Sequence, residues 1–143
     1  MRYRFLEDIA IADVAFEAEG KTLTELFLNA ALALTNTMAK DLNSVEQKVV
    51  KNIQLEADNA ETLLYGFLQE LVFYKDAELL LFSRYDIDIR EEKGKWRIQA
   101  NIHGEELNQE KHQLVADVKA VSLHNFKVLK TAEGWRAEVI LDV

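Results

Sequence analysis

The sequence predicts an α+β fold in which two helices pack on a mostly antiparallel sheet. Two stretches carry apolar residues at the 3.6-residue period of a buried helix face, and each follows a capping pattern. Most other apolar residues alternate with polar ones, the period of a strand with one covered face. Two segments, EEKGKWRIQANI and LKTAEGWRAEVI, each set a glycine just before Trp-Arg, where a tight turn reverses the chain into an antiparallel neighbour. That echo also admits a duplicated βαββ-like unit. At 143 residues the chain is read as a single domain spanning 1–143, long enough to bury an ordinary core.

Arg2 to Leu6 alternates weakly and is predicted as a short strand. Asp13 to Glu19 alternates more clearly, with Val14, Phe16 and Ala18 on one face, and Gly20 ends it. Thr22-x-x-Glu25 is a capping box that opens the first helix, where Leu23, Leu26, Phe27, Ala30, Ala31, Leu34 and Met38 form one stripe. Met38 is read as packing. Val45 to Glu56 returns to period two. Asp58-x-x-Glu61 signals a second helix start, followed by the apolar face of Leu63, Leu64, Phe67, Leu68, Leu71 and Val72. Gly66 inside that helix weakens it by about 1 kcal/mol relative to alanine, which suggests a close neighbour. Tyr85 to Ile89 and Trp96 to Ile102 form a hairpin around Gly94, with both tryptophans in hairpin core. His103 to Gln113 is polar and predicted as a loop or one helical turn. Closing strands run from about Val118 to Leu129 and from Trp135 to Leu141.

The composition narrows the function. Hydrophobic content of 49% and a net charge of −8 describe a soluble globular domain that repels phosphates on average, so direct, stable nucleic-acid binding is not expected. No apolar run approaches the roughly 20 residues of a membrane span, and no secretory leader is evident, so a cytoplasmic setting without membrane association is expected. Without cysteine there are no disulfides, thiolate metal sites or cysteine nucleophiles. The five glycines build no phosphate-cradling loop, no serine sits in a nucleophile elbow, and His103, His112 and His124 lack zinc-protease spacing. Enzyme chemistry by this chain alone is therefore not the leading reading.

Hard oxygen ligands remain. Asp142 sits on the final apolar strand beside Val143, whose α-carboxyl adds a second acid. An acid there is either a solvated chain end or a ligand. Alternation puts Asp13 on a polar face, where solvation alone accounts for it. Carboxylates suit calcium or magnesium, but no EF-hand-like loop organises them here.

Several motifs, taken together, resemble the archease family, small accessory proteins of the RtcB-type tRNA-splicing ligase. They are Ala12-Asp13-Val14 with Gly20, Lys21-Thr22-Leu23 leading to Asn29-Ala30-Ala31, Leu63-Leu64 to Glu70-Leu71, Gly104-Glu105 with His112, Val118-Lys119-Ala120-Val121-Ser122-Leu123-His124, and Ile140-Leu141-Asp142-Val143. The chain has Ala10-Ile11 where the family usually has His-Thr, and Asn108 where it has Asp. The resemblance implies a divalent-metal site, typically calcium, built from Asp13, Asp142 and Val143. It also implies a protein cofactor that promotes ligase guanylylation and multiple turnover without a catalytic cycle of its own. Lys119 and His124 are candidates to contact the ligase or support the site, His124 equally a packed core histidine, and Glu105 and His112 could orient the polar loop. An acidic adaptor or chaperone-like module for another basic partner is the competing reading, and an autonomous metal-dependent hydrolase is a third.

Overall fold

A computed structural model describes residues 3–6 and 13–143. Arg2, where the first strand was predicted to begin, and the motif residues Ala10, Ile11 and Ala12 lie outside the described residues. The fold is α+β, as the periodicity predicts. Its elements are β1 (Tyr3–Leu6), β2 (Asp13–Gly20), α1 (Leu23–Met38), β3 (Val49–Ala57), α2 (Ala60–Glu78), β4 (Leu80–Glu92), β5 (Lys95–Glu106), the short α3 (Gln109–His112), β6 (Ala120–Val121), β7 (Lys127–Lys130) and β8 (Trp135–Asp142).

The strands form two antiparallel sheets where one was predicted. The larger has the order β1-β2-β8-β6, with β7 also paired to β8, and the smaller has the order β3-β5-β4. Both helices touch both sheets, so the core is shared. The division has a plain origin in two nested βαββ units. In the inner one, β3, α2, β4 and β5 follow one another in the chain and pair as β3-β5-β4. In the outer one, β2, α1, β7 and β8 pair in the equivalent order β2-β8-β7, and the inner unit is inserted after α1. The Trp-Arg echo marks equivalent places: Trp96 faces Ala57 at the end of β3, and Trp135 faces Gly20 at the end of β2.

Thr22 caps α1 by accepting the Glu25 N–H at 3.1 Å, as the capping box predicts. Leu26, Phe27, Ala30, Ala31 and Leu34 are fully buried, and Met38 is packing. The α2 cap is Asn59, not Asp58: its side chain accepts the Thr62 N–H at 2.8 Å. Asn and Asp serve equally as caps, so the adjacent pair was ambiguous by one residue. Phe27 of α1 stacks on Phe67 of α2, with ring centroids 5.9 Å apart. An added Cβ on Gly66 would lie 3.4 Å from Leu55, the close neighbour its presence suggested.

Several boundaries move. A 3-10 turn at Leu42–Ser44 delays β3 to Val49. His103 to Glu106, predicted as loop, extends β5, because Gly104 lets the strand pass a bulge in β4. A Cβ there would fall 1.8 Å from the Leu81 carbonyl oxygen, and the register shifts between Phe82 and Arg84. Finally, the single strand predicted from Val118 to Leu129 is two strands. Ala120 pairs with Asp142 and Lys127 with Glu138, which leaves three residues more on this strand than on β8. Leu123, His124 and Asn125 absorb them as an exposed bulge, with Asn125 at φ 56°.

Candidate functional site

The end of the larger sheet is built by the first residue of β2 and the last of β8. Asp13 and Asp142 lie directly opposite in the antiparallel register, so their side chains share one face, with Cβ atoms about 5 Å apart in such pairs. Alternation put Asp13 on a polar face; the register adds that a second carboxylate is across from it. Glu17 and Glu138 form a second like-charged pair on the same face, but cations serve that one. Arg4 lies 3.5 Å from Glu17, and Lys127 stands opposite Glu138. Among the described residues no basic side chain pairs with Asp13 or Asp142.

Asp142 is held from both sides. β2 pairs along one edge of β8, and on the other Ala120 lies opposite Asp142 while the Lys119 N–H donates to its carbonyl oxygen at 2.8 Å. Val143 follows half-buried against the core. The fold thus gathers Asp13, Asp142, Val143 and the Lys119 main chain at one sheet end. The Lys119 side chain is exposed. Two opposed carboxylates without a counter-charge among the described residues fit a hard divalent cation in kind. In number they fall short: among the described residues no three His, Cys, Asp or Glu side chains converge as ligands. Further oxygens would have to come from main chain and water, which calcium accepts.

His124 is exposed in the bulge, farther along β8, with its N–H donating to Ser122 Oγ at 3.0 Å. The packed-histidine alternative rested on unbroken alternation, and the three extra residues remove it. Beside it Leu123 is 70% exposed.

Glu105 and His112 meet elsewhere, as a buried polar cluster. Glu105 Oε2 accepts the Glu46 N–H at 2.7 Å and His112 Nε2 at 2.9 Å, and Oε1 accepts Lys111 Nζ at 2.9 Å. His112 is fully buried, and its Nδ1 accepts the Asn108 N–H at 2.9 Å. An accepting Nδ1 puts the ring proton on Nε2, the tautomer that donates to Glu105. Burial pushes the Glu105 carboxyl up, but these donors outweigh it and hold the group at about 2. Asn108, where the resemblance expects Asp, caps α3 by accepting from Glu110 and Lys111 N–H. Glu105 and His112 thus bond to each other and to the main chain of Glu46 and Asn108, with both side chains buried.

Sequence reasoning missed how α2 lies along the open edge of β6 and β7. The Val128 N–H donates to Glu61 Oε1 at 3.0 Å and the Val121 N–H to Gln69 Oε1 at 3.1 Å. Lys75 donates to Asp117 at 2.5 Å and also pairs with Asp76. Lys75 was legible in principle, because it stands in helical phase with Leu64, Leu68 and Leu71 on the buried stripe.

The family model described as the archease protein family (MTH1598/TM1083) matches residues 3–143. A protein archease of Methanosarcina acetivorans is 35% identical over 143 residues, 99% of this chain and 96% of that protein. One from Pyrococcus abyssi is 34% identical over 92% of this chain and 93% of that protein. The solution structure of protein 1598 of Methanobacterium thermoautotrophicum is 34% identical, covers 99% of both chains and superposes with a TM-score of 0.86. An archease of Thermotoga maritima, called a possible chaperone, shares the fold at 15% identity and a TM-score of 0.59, over 98% of both chains. A two-sheet α+β domain with a paired-carboxylate end thus has close relatives across its length. The chain belongs to the archease family. Among the described residues no helix is long and apolar enough to cross a membrane.

Proposed function

We propose that this protein is a non-catalytic activator of an RtcB-type RNA ligase that promotes guanylylation and repeated turnover of the enzyme. Asp13 and Asp142, with main-chain oxygen at Val143, would hold a divalent cation, calcium by its preference for oxygen. The observation that carries the reading is the in-register opposition of two carboxylates that no described basic side chain serves, beside the Lys119 segment. When bound, the cation supplies a positive centre on an otherwise acidic surface. Asp13 and Asp142 fix its position because each sits in a paired strand, not on a free loop. Lys119 and the exposed bulge of Leu123 and His124 lie along the same edge and face outward, where a partner can reach them.

The test is a guanylylation and multiple-turnover assay of a cognate ligase, with and without this protein, in the presence of GTP and metal. Activation by the wild-type chain and its loss in Asp142→Ala, with the fold intact, is the expected result. Unchanged ligase rates would send the reading to the chaperone-like adaptor, the description its Thermotoga maritima relative carries. Metal-dependent phosphoester turnover by the isolated protein, lost in Asp13→Ala, would instead restore the hydrolase.

A further inference from the structure

We propose that Lys75 and Gln69 of α2 are positioning residues that hold the segment Asp117–Val121 against β8 and thereby fix the Asp142 end of the carboxylate pair. The inference rests on the metal-site reading above and extends it to residues remote from the ligands.

β6 is only two residues long, too short to stay paired on its own ladder. What keeps it in place comes from the helix beside it. Gln69 accepts the Val121 N–H at one end, and Lys75 donates to Asp117 at the other. Between those points Val118 is fully buried and the Lys119 N–H donates to the Asp142 carbonyl at 2.8 Å, and just past them the Ser122 N–H donates to the Ile140 carbonyl at 2.9 Å. The order of contacts is therefore α2, then the 117–121 segment, then the last turn of register on β8. Asp142 itself has no described side-chain partner, so its position depends on the main chain that flanks it.

Lys75 is an unusual residue to spend on a strap. It is 4% exposed, and its ammonium reaches two carboxylates that are themselves exposed. A residue serving only the core could be leucine at this place on the stripe. The ammonium instead selects one position for Asp117, two residues before Lys119. Because Asp76 and Asp117 are exposed, Lys75→Met strands no buried charge, and methionine fills the volume of the lysine stem. The variant should therefore fold.

The experiment compares wild type, Lys75→Met, Gln69→Leu, Gln69→Glu and Lys51→Met by calorimetric titration with calcium chloride and by amide hydrogen exchange. Lys51→Met is the control, since Lys51 also anchors α2, through Glu78 at 2.7 Å, but away from this edge. Lys75→Met and Gln69→Leu are expected to weaken calcium binding about tenfold, the lower end for partners outside the ligand shell. They should also speed exchange of the Lys119 and Ser122 amides. Gln69→Glu keeps an acceptor and should restore both, and Lys51→Met should change neither. Unchanged exchange in Lys75→Met and Gln69→Leu would overturn the clamp, as would faster exchange with undiminished calcium binding. A wild-type chain that binds no calcium would refute the metal reading separately, and the clamp would then stand or fall on the exchange rates.

Discussion

Replacing Glu105 separates two kinds of support that one carboxylate gives. Oε2 receives the neutral donors of Glu46 and His112, while the Lys111 ammonium spans both oxygens at 2.8 and 2.9 Å and Lys48 lies 3.5 Å from Oε1. Glu105→Ala removes both. It leaves the His112 Nε2–H orphaned inside the protein, at a cost of about 1–3 kcal/mol, and the bonded Glu46 N–H adds a further ~1 kcal/mol. Lys111 is near the surface and can turn to water, so its loss adds little. The expected total is about 3 kcal/mol. Glu105→Gln can keep a carbonyl oxygen where Oε2 was but loses the charge that Lys111 meets, so it should cost about 1–2 kcal/mol, less than alanine. The pH dependence follows from the carboxyl at about 2 in the folded chain. An unfolded glutamate titrates at about 4.3, so the folded value is depressed. The stabilisation is complete above that unfolded value and is lost as pH falls toward 2. Urea melts of the three proteins at neutral pH, repeated from pH 5 to 2, measure all of this. The wild-type advantage over both variants should narrow within that acid window, and part of it over alanine should remain because a protonated carboxyl still accepts hydrogen bonds. Equal destabilisation by Gln and Ala, or a wild-type advantage that does not narrow in acid, would refute this account of Glu105.

Three further outcomes are expected. Asp142→Asn relieves a like-charged cross-strand pair, so in chelator it should be up to about 1 kcal/mol more stable than wild type. In calcium at 100 times Kd the wild type should gain about 2.7 kcal/mol and the variant nothing, as read from thermal melts. Tyr85→Phe removes a buried hydroxyl that bonds Thr35 at 2.8 Å and the Phe82 carbonyl at 3.1 Å, and chemical denaturation should show a loss of about 1–2 kcal/mol. Gly104→Ala would press a methyl into the Leu81 carbonyl, and it should cost more than about 3 kcal/mol or prevent soluble expression, whereas Gly94→Ala meets no atom within 4 Å and should cost about 1 kcal/mol through its φ of 78°.

Local chemistry was legible where it is written in adjacent residues. The Thr22 cap, the helical stripes and the glycine turns before Trp96 and Trp135 each follow from a few neighbouring side chains. The second sheet was not legible, because alternation states that a strand has a covered face without naming the strands beside it. The duplication was visible only as two Trp-Arg pairs, and its nesting depends on pairings between distant segments. At the site, Asp13 and Asp142 came forward through family resemblance, since neither spacing nor composition relates the two ends of the chain. Their opposition is a matter of register, which the outer sheet alone decides. The bulge at Leu123–Asn125 escaped notice because Val118 to Leu129 continues to look like strand, and three surplus residues leave no mark until the partner strand is known. Lys75 is marked in the sequence only by its phase with Leu71, which sets it on the buried face.

The nested arrangement of the two units also governs the order in which the molecule can be made. β3, α2, β4 and β5 are consecutive, so the inner sheet can close as soon as its own stretch of chain is available. The outer sheet joins β2 to β8, residues from nearly opposite ends of the sequence, and closing so long a loop is slow. During synthesis, β2 and α1 emerge early and wait with an uncovered edge until the final strand arrives. The carboxylate pair is consequently the last feature to be assembled and does not exist in any truncated chain lacking β8. A cation held there would report that β2 and β8 have been correctly joined.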